Sequence, residues 1–144
     1  MLLLGYAALI ILFYFLVGEQ LHLRQSRGNR ELPAADSGTV ELTAGSVVEQ
    51  SFITRIQRLE QIDVQWGTYY RPNVGTVLLE LMDLRDSSVL LSGAFDAAVI
   101  TEGGLTTLTA EEPIEGLYNV SLLLRITSPD CAPGSAASPL MNTQ

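Results

Sequence analysis

From Gly38 onward, apolar residues recur with a period of two or in short unbroken runs, and no window holds a capped helical pattern as long as three turns. That restricts the chain to strands. Val40 and Leu42 alternate with Thr39 and Glu41, predicting an extended segment over Thr39–Thr43, and Val47–Ile53 continues it in short β-rich pieces. Ile62, Val64 and Trp66 alternate with Asp63 and Gln65, so one face turns inward. Thr76–Met82 is apolar on both sides apart from Glu80, the pattern of a central strand covered on both faces or nearly so. Asp86, Ser87 and Ser88 are turn formers that close a hairpin between Asp83 and Val89.

Further along, Ser92-Gly93 is expected to interrupt the chain before Ala94–Ile100, and Gly103-Gly104 marks a tight turn before Leu105–Thr109. Pro113-Ile114-Glu115-Gly116 reads as a loop. Tyr118–Thr127 then places Val120, Leu122, Leu124 and Ile126 on one face. Seven or eight short strands with Gly, Pro, Asn and Asp between them predict a mainly β fold, an antiparallel β-sandwich of the jelly-roll kind, with a closed barrel as the alternative.

The N-terminus obeys another rule. Met1–Val17 (MLLLGYAALIILFYFLV) has no charged or strongly polar side chain, and as a helix it would be roughly 26 Å long, the short end of what spans a bilayer core. A cleaved signal peptide would carry a positive n-region and a small-x-small cleavage site, and neither is visible. A buried core helix would show a polar side to water, and this run has none. The expected organisation is a single transmembrane anchor over residues 1–23, a linker over 24–37 ending in Pro33–Ser37, and a β-sandwich domain over 38–144. Arg24, Arg27 and Arg30 follow the run closely, which by the positive-inside rule would hold the domain in the cytoplasm.

Charge and residue inventory exclude several functions. Residues 38–144 carry five arginines against thirteen acids, a net charge of −8 that repels nucleic acid and anionic lipid headgroups. The chain has no lysine, so a lysine Schiff base and a Walker A loop are excluded. Its one histidine, His22, adjoins the apolar run, which denies the domain a Ser-His-Asp triad or a His-ligated zinc. Cys131 is the sole cysteine and has no neighbouring cation or base to activate it. Asp83 with Asp86, and Glu111, Glu112 and Glu115, lack the spacing and glycine of a calcium loop and read as solvated acidic turns. No catalytic residue, metal or cofactor is therefore expected, and the chain reads as a non-enzyme.

One stretch suggests binding. Trp66, Tyr69 and Tyr70 set three rings near a strand end, Arg71 offers a planar fork of donors, and Asn73 with Gly75 suits a tight positive-φ bend. Sugar-binding surfaces combine such rings with a few hydrogen-bonding groups. The alternative is structural: Trp66 is in phase with Ile62 and Val64, as a core residue would be, and Arg71 and Asn73 would tie the turn to its own backbone.

Several of these segments carry a resemblance. Gln50-Ser51-Phe52, the turn Thr68-Tyr69-Tyr70-Arg71-Pro72-Asn73-Val74-Gly75, the strand Val77–Asp83 and the late stretch Tyr118–Ser128 follow a Q-x-F, T-Y-x-R-x-N-x-G, strand-to-Asp and Y-x-L-x-I-x-S pattern. Over about residues 45–142 the chain resembles the extracytoplasmic β-sandwich domain of bacterial multi-spanning envelope proteins, including glycosyltransferase-like ones. The resemblance implies a non-catalytic domain outside the bacterial cytoplasmic membrane, shaped like a carbohydrate-binding module. Its partners would be the bilayer, through Met1–Val17, and a polysaccharide or an envelope membrane protein. The other readings it leaves are an assembly subunit and a fragment of a larger polytopic protein.

Overall fold

A computed structural model of the chain describes residues 37–38 and 40–141. Among the described residues eight strands run in order: β1 (Ser37–Gly38), β2 (Val47–Ile53), β3 (Arg58–Gly67), β4 (Thr76–Asp83), β5 (Ser88–Asp96), β6 (Leu105–Glu115), β7 (Ser121–Thr127) and β8 (Ser138–Met141). A 3-10 turn, Ala97–Val99, follows β5. The described chain is mainly β, and every pairing is antiparallel.

The pairing is nested. β4 and β5 form the innermost hairpin, closed at the Asp83–Ser88 turn, and outward from it β3 pairs with β6, β2 with β7 and β1 with β8. Successive pairs alternate between two four-stranded sheets, ordered β1-β8-β3-β6 and β2-β7-β4-β5. Asp83 fixes the hairpin by accepting the Arg85 backbone N–H at 2.8 Å, and the Arg85 guanidinium beside it lowers its carboxyl below 3.8.

Alternation explains the core. In β4, Val77, Leu79 and Leu81 are fully buried, and from the neighbouring β7 Leu122 and Ile126 join them. The other sheet contributes Leu59, Val64, Trp66 and Leu108 to the same cluster. Each such side chain removed from water is worth about 1.5–3 kcal/mol, so these two alternating faces hold the sheets together.

Several expectations are corrected. β4 is fully buried on one face and half-buried on the other, at Thr76, Leu78, Glu80 and Met82, because the outer face of an antiparallel sheet can meet water. On that face Arg125 bonds Glu49 at 2.7 Å and lies 3.9 Å from Glu80. Residues 40–43 form no strand; Leu42 is buried and donates its N–H to Ala137 O, after which the chain turns at Gly45 (φ 80°). No break occurs at Ser92-Gly93. A Cβ on Gly93 would lie 2.8 Å from Leu108 Cδ1, so this glycine serves close packing between the sheets. β6 continues through Pro113 to Glu115, which an edge strand permits, with a register shift opposite Leu59–Gln61.

The anchor expected over residues 1–23 lies outside the described residues, as does the linker expected over 24–37 apart from Ser37, which begins β1. Among the described residues no helix is long and apolar enough to cross a membrane.

Candidate functional site

β3 ends at Gly67 and β4 begins at Thr76 in the other sheet, so residues 68–75 must cross between layers. The crossing needs sharp bends, and Tyr69 (φ 56°), Tyr70 (φ 55°) and Gly75 (φ 116°) supply them in left-handed conformations. Asn73 is not among the positive-φ residues, so the bend expected there falls on the two tyrosines instead. A left-handed backbone costs a side-chain-bearing residue about 1–2 kcal/mol, and surrounding contacts must offset it.

Three carboxylates do so. Glu102 Oε2 accepts the Thr68 N–H at 2.6 Å, the Thr68 hydroxyl at 3.0 Å and the Tyr70 N–H at 3.4 Å. Successive N–H groups converging on one anion make a backbone nest. The Thr68 N–H foremost, with the Thr68 hydroxyl and the Tyr70 and Tyr69 N–H groups, holds the Glu102 carboxyl below 4.5. Glu41 pairs with the Arg71 guanidinium and accepts the Gly134 N–H at 2.8 Å; these two contacts, Arg71 first, lower its carboxyl below 4.5. Asp130 accepts the Thr76 N–H at 2.7 Å.

This fastening sorts the predicted site residues. Tyr70 is 90% exposed and Tyr69 52% exposed, and the Arg71 guanidinium lies 4.9 Å from the centroid of the Tyr69 ring. These three share one surface. Asn73, 2% exposed, lies within the turn and donates its side-chain amide to Arg71 O at 3.4 Å. Trp66 is fully buried at its in-phase position opposite Pro139, out of reach of a surface ligand. Trp66 Nε1, Arg71 Nε and Asn73 Oδ1 are buried without a hydrogen-bond partner.

Glu41, Glu102 and Asp130 carried no signal in sequence reasoning, since each meets the turn from 30 or more residues away. Of the acids read as solvated turns, Asp83 is instead buried, 3% exposed and paired with Arg85, whereas Asp86 accepts the Ser88 N–H at 2.9 Å, Glu111 and Glu112 are exposed, and Glu115 lies 3.7 Å from Arg58. No group of three His, Cys, Asp or Glu side chains fit to hold a metal occurs among the described residues. Cys131 is buried, with Sγ 3.7 Å from Thr76 O. A pocket of about 220 Å³ beside β5 and β6 is lined by Phe95, Val99, Ile100 and Leu105 with three threonines and Gly104, none of them titratable. No protein-family model, curated protein or solved structure shows a significant match to the chain.

Proposed function

We propose that the chain is a non-catalytic recognition module, a jelly-roll β-sandwich anchored by Met1–Val17 in a bacterial cytoplasmic membrane with its domain outside, which binds an envelope glycan through Tyr69, Tyr70 and Arg71. The observation that carries this reading is the exposed Tyr70 ring on a turn whose backbone is fastened by Glu102 and Asp130. A turn whose backbone is already fixed gives up little backbone entropy on binding. Apolar sugar faces stack on such rings, and a guanidinium takes hydroxyls.

The jelly-roll assignment is supported by nested pairs that alternate between two sheets. The non-catalytic reading is supported by the carboxylates around the rings: Glu41, Glu102 and Asp130 are engaged as acceptors for Arg71 and backbone N–H groups, which takes them from acid–base work. The placement outside the membrane follows the T-Y-x-R-x-N-x-G turn and opposes the count of Arg24, Arg27 and Arg30.

The test uses the full chain in detergent micelles on a gel bearing soluble envelope polysaccharide. Wild type is retained and Tyr70→Ala elutes early with an unchanged circular dichroism spectrum. Passage of wild type without retention, over gels spanning the main envelope polymers, overturns the glycan reading. A reporter active only outside the cytoplasm, fused after Gln144, is expected to be active; a silent but membrane-bound fusion overturns the placement.

A further inference from the structure

Among the described residues the two sheets end in four edge strands, and three of them are blunted. β1 is two residues long. β6 carries Glu111, Glu112, Pro113 and a register shift, and β5 carries Gly93 and a register shift opposite Leu81–Met82. β2 has no such protection. Its seven residues pair with β7 one for one from Val47↔Thr127 to Ile53↔Ser121, with a single charge, Glu49, and neither Pro nor Gly. Val47 and Ile53 are 57% and 54% exposed, and among the described residues no strand pairs with the other side of β2. Natural sheets guard edges of this kind, because an unguarded one accepts a further strand.

The sequence of β2 names the strand it fits. Val-Val-Glu-Gln-Ser-Phe-Ile is symmetric in character about Gln50. Antiparallel pairing with a second copy across a twofold axis at Gln50 sets Val47 against Ile53, Val48 against Phe52 and Glu49 against Ser51. Apolar residues meet apolar residues, and the one charge meets a hydroxyl. An axis at Glu49 would oppose two like charges, which is destabilising, and an axis at Ser51 would set Glu49 against Ile53. An axis between residues would pair side chains on opposite faces. One register therefore satisfies every position.

We infer that β2 is a self-pairing edge that joins the β2-β7-β4-β5 sheets of two copies of this chain into one continuous sheet about a twofold axis at Gln50. Such an isologous contact is self-complementary by construction. Seven strand residues per copy make a small interface, at the low end of specific contacts below about 1,200 Å², so the dimer forms and dissociates with concentration.

The full chain in detergent micelles tests this, because Cys131 is buried and leaves the surface free of thiols among the described residues. Gln50→Cys places two thiols on directly opposed positions, where Cα atoms lie within the roughly 4.4–6.8 Å reach of a disulfide. Mild oxidation is expected to link it roughly tenfold faster than Val89→Cys on the β5 edge, where opposed thiols are not expected. Adding Ile53→Lys is expected to return the rate to that of Val89→Cys with an unchanged thermal midpoint. If Gln50→Cys fails to fold, mixed Glu49→Cys and Ser51→Cys copies report the same register. Equal rates for Gln50→Cys and Val89→Cys, no mixed link in the second experiment, or a wild-type monomer across a broad concentration series in sedimentation equilibrium overturns the inference.

Discussion

Glu102 accepts the backbone N–H of Thr68 at 2.6 Å across a separation of 34 residues. The same oxygen receives the Tyr70 N–H, so one carboxylate in the loop before β6 holds the start of the crossing from β3 to β4. The left-handed tyrosines that display the exposed rings depend on that contact. The display of the exposed rings and the stability of the fold are thus linked through a single ionised group.

Glu102→Gln is expected to lower the thermal midpoint at neutral pH, because a charge-assisted set of hydrogen bonds is replaced by a neutral acceptor. The pH dependence has a definite sign. Glu41 and Glu102 titrate in the folded state below their ordinary 4.5, and Asp83 and Asp86 below 3.8. Each stabilises the fold above its ordinary value and loses that contribution as pH falls through the lowered folded value. Wild-type stability should hold down to about pH 4.5 and then decline, whereas Glu102→Gln should start lower and decline less steeply, the two curves converging in acid. Parallel acid limbs would refute the assignment.

Trp66 is the single tryptophan and reports on the core directly. Its emission in the native chain should be that of an apolar site and resist iodide quenching until the fold melts. Trp66→Ala should cost about 3–5 kcal/mol in urea unfolding, the range for an aromatic removed from a packed interior. Added polysaccharide should leave its accessibility to iodide unchanged, since the ring is fully buried.

Gly75 and Gly134 separate backbone strain from crowding. Both have positive φ, 116° and 82°, so alanine at either carries a backbone cost of about 1–2 kcal/mol. Nothing lies within 4 Å of a Cβ on Gly134, whereas one on Gly75 would meet Cys131 Sγ at 2.7 Å and Cys131 Cα at 3.0 Å. Gly75→Ala should therefore lose roughly 1–3 kcal/mol more than Gly134→Ala in denaturant titration. Cys131→Ala should recover only part of it, because the backbone contact stays.

The strands were legible where local pattern decides the outcome. Ile62, Val64 and Trp66 point inward as their alternation requires, and Asp83 and Asp86 close the hairpin expected of them. Misreadings arose where a residue answers to a distant neighbour. Gly93 looks like a break, yet it lies in mid-strand with the Leu108 side chain close above it. Pro113 looks like a loop because its place on an edge strand is set by β3. Of the group Trp66, Tyr69, Tyr70, Arg71 and Asn73 suggested by the sequence, Trp66 and Asn73 are buried, and the carboxylates that fasten the turn come from three other loops, a meeting that no local spacing encodes.

Tyr70 and Arg71 should separate recognition from support. Tyr70 is 90% exposed and its ring is not needed for the turn's hydrogen bonds, so Tyr70→Ala should leave the thermal midpoint unchanged while weakening polysaccharide binding about tenfold, a loss near 1.4 kcal/mol. Arg71 does two things: its guanidinium lies over Tyr69, and it reaches Glu41 and Ala136 O. Lysine keeps the charge but loses the planar fork, so Arg71→Lys should lower both midpoint and affinity. Calorimetric titration of the single and double variants checks the point. If the Arg71→Lys loss acts by loosening the turn that presents Tyr70, the double variant should bind no worse than Tyr70→Ala alone; fully additive losses would mean that Arg71 contacts the glycan in its own right.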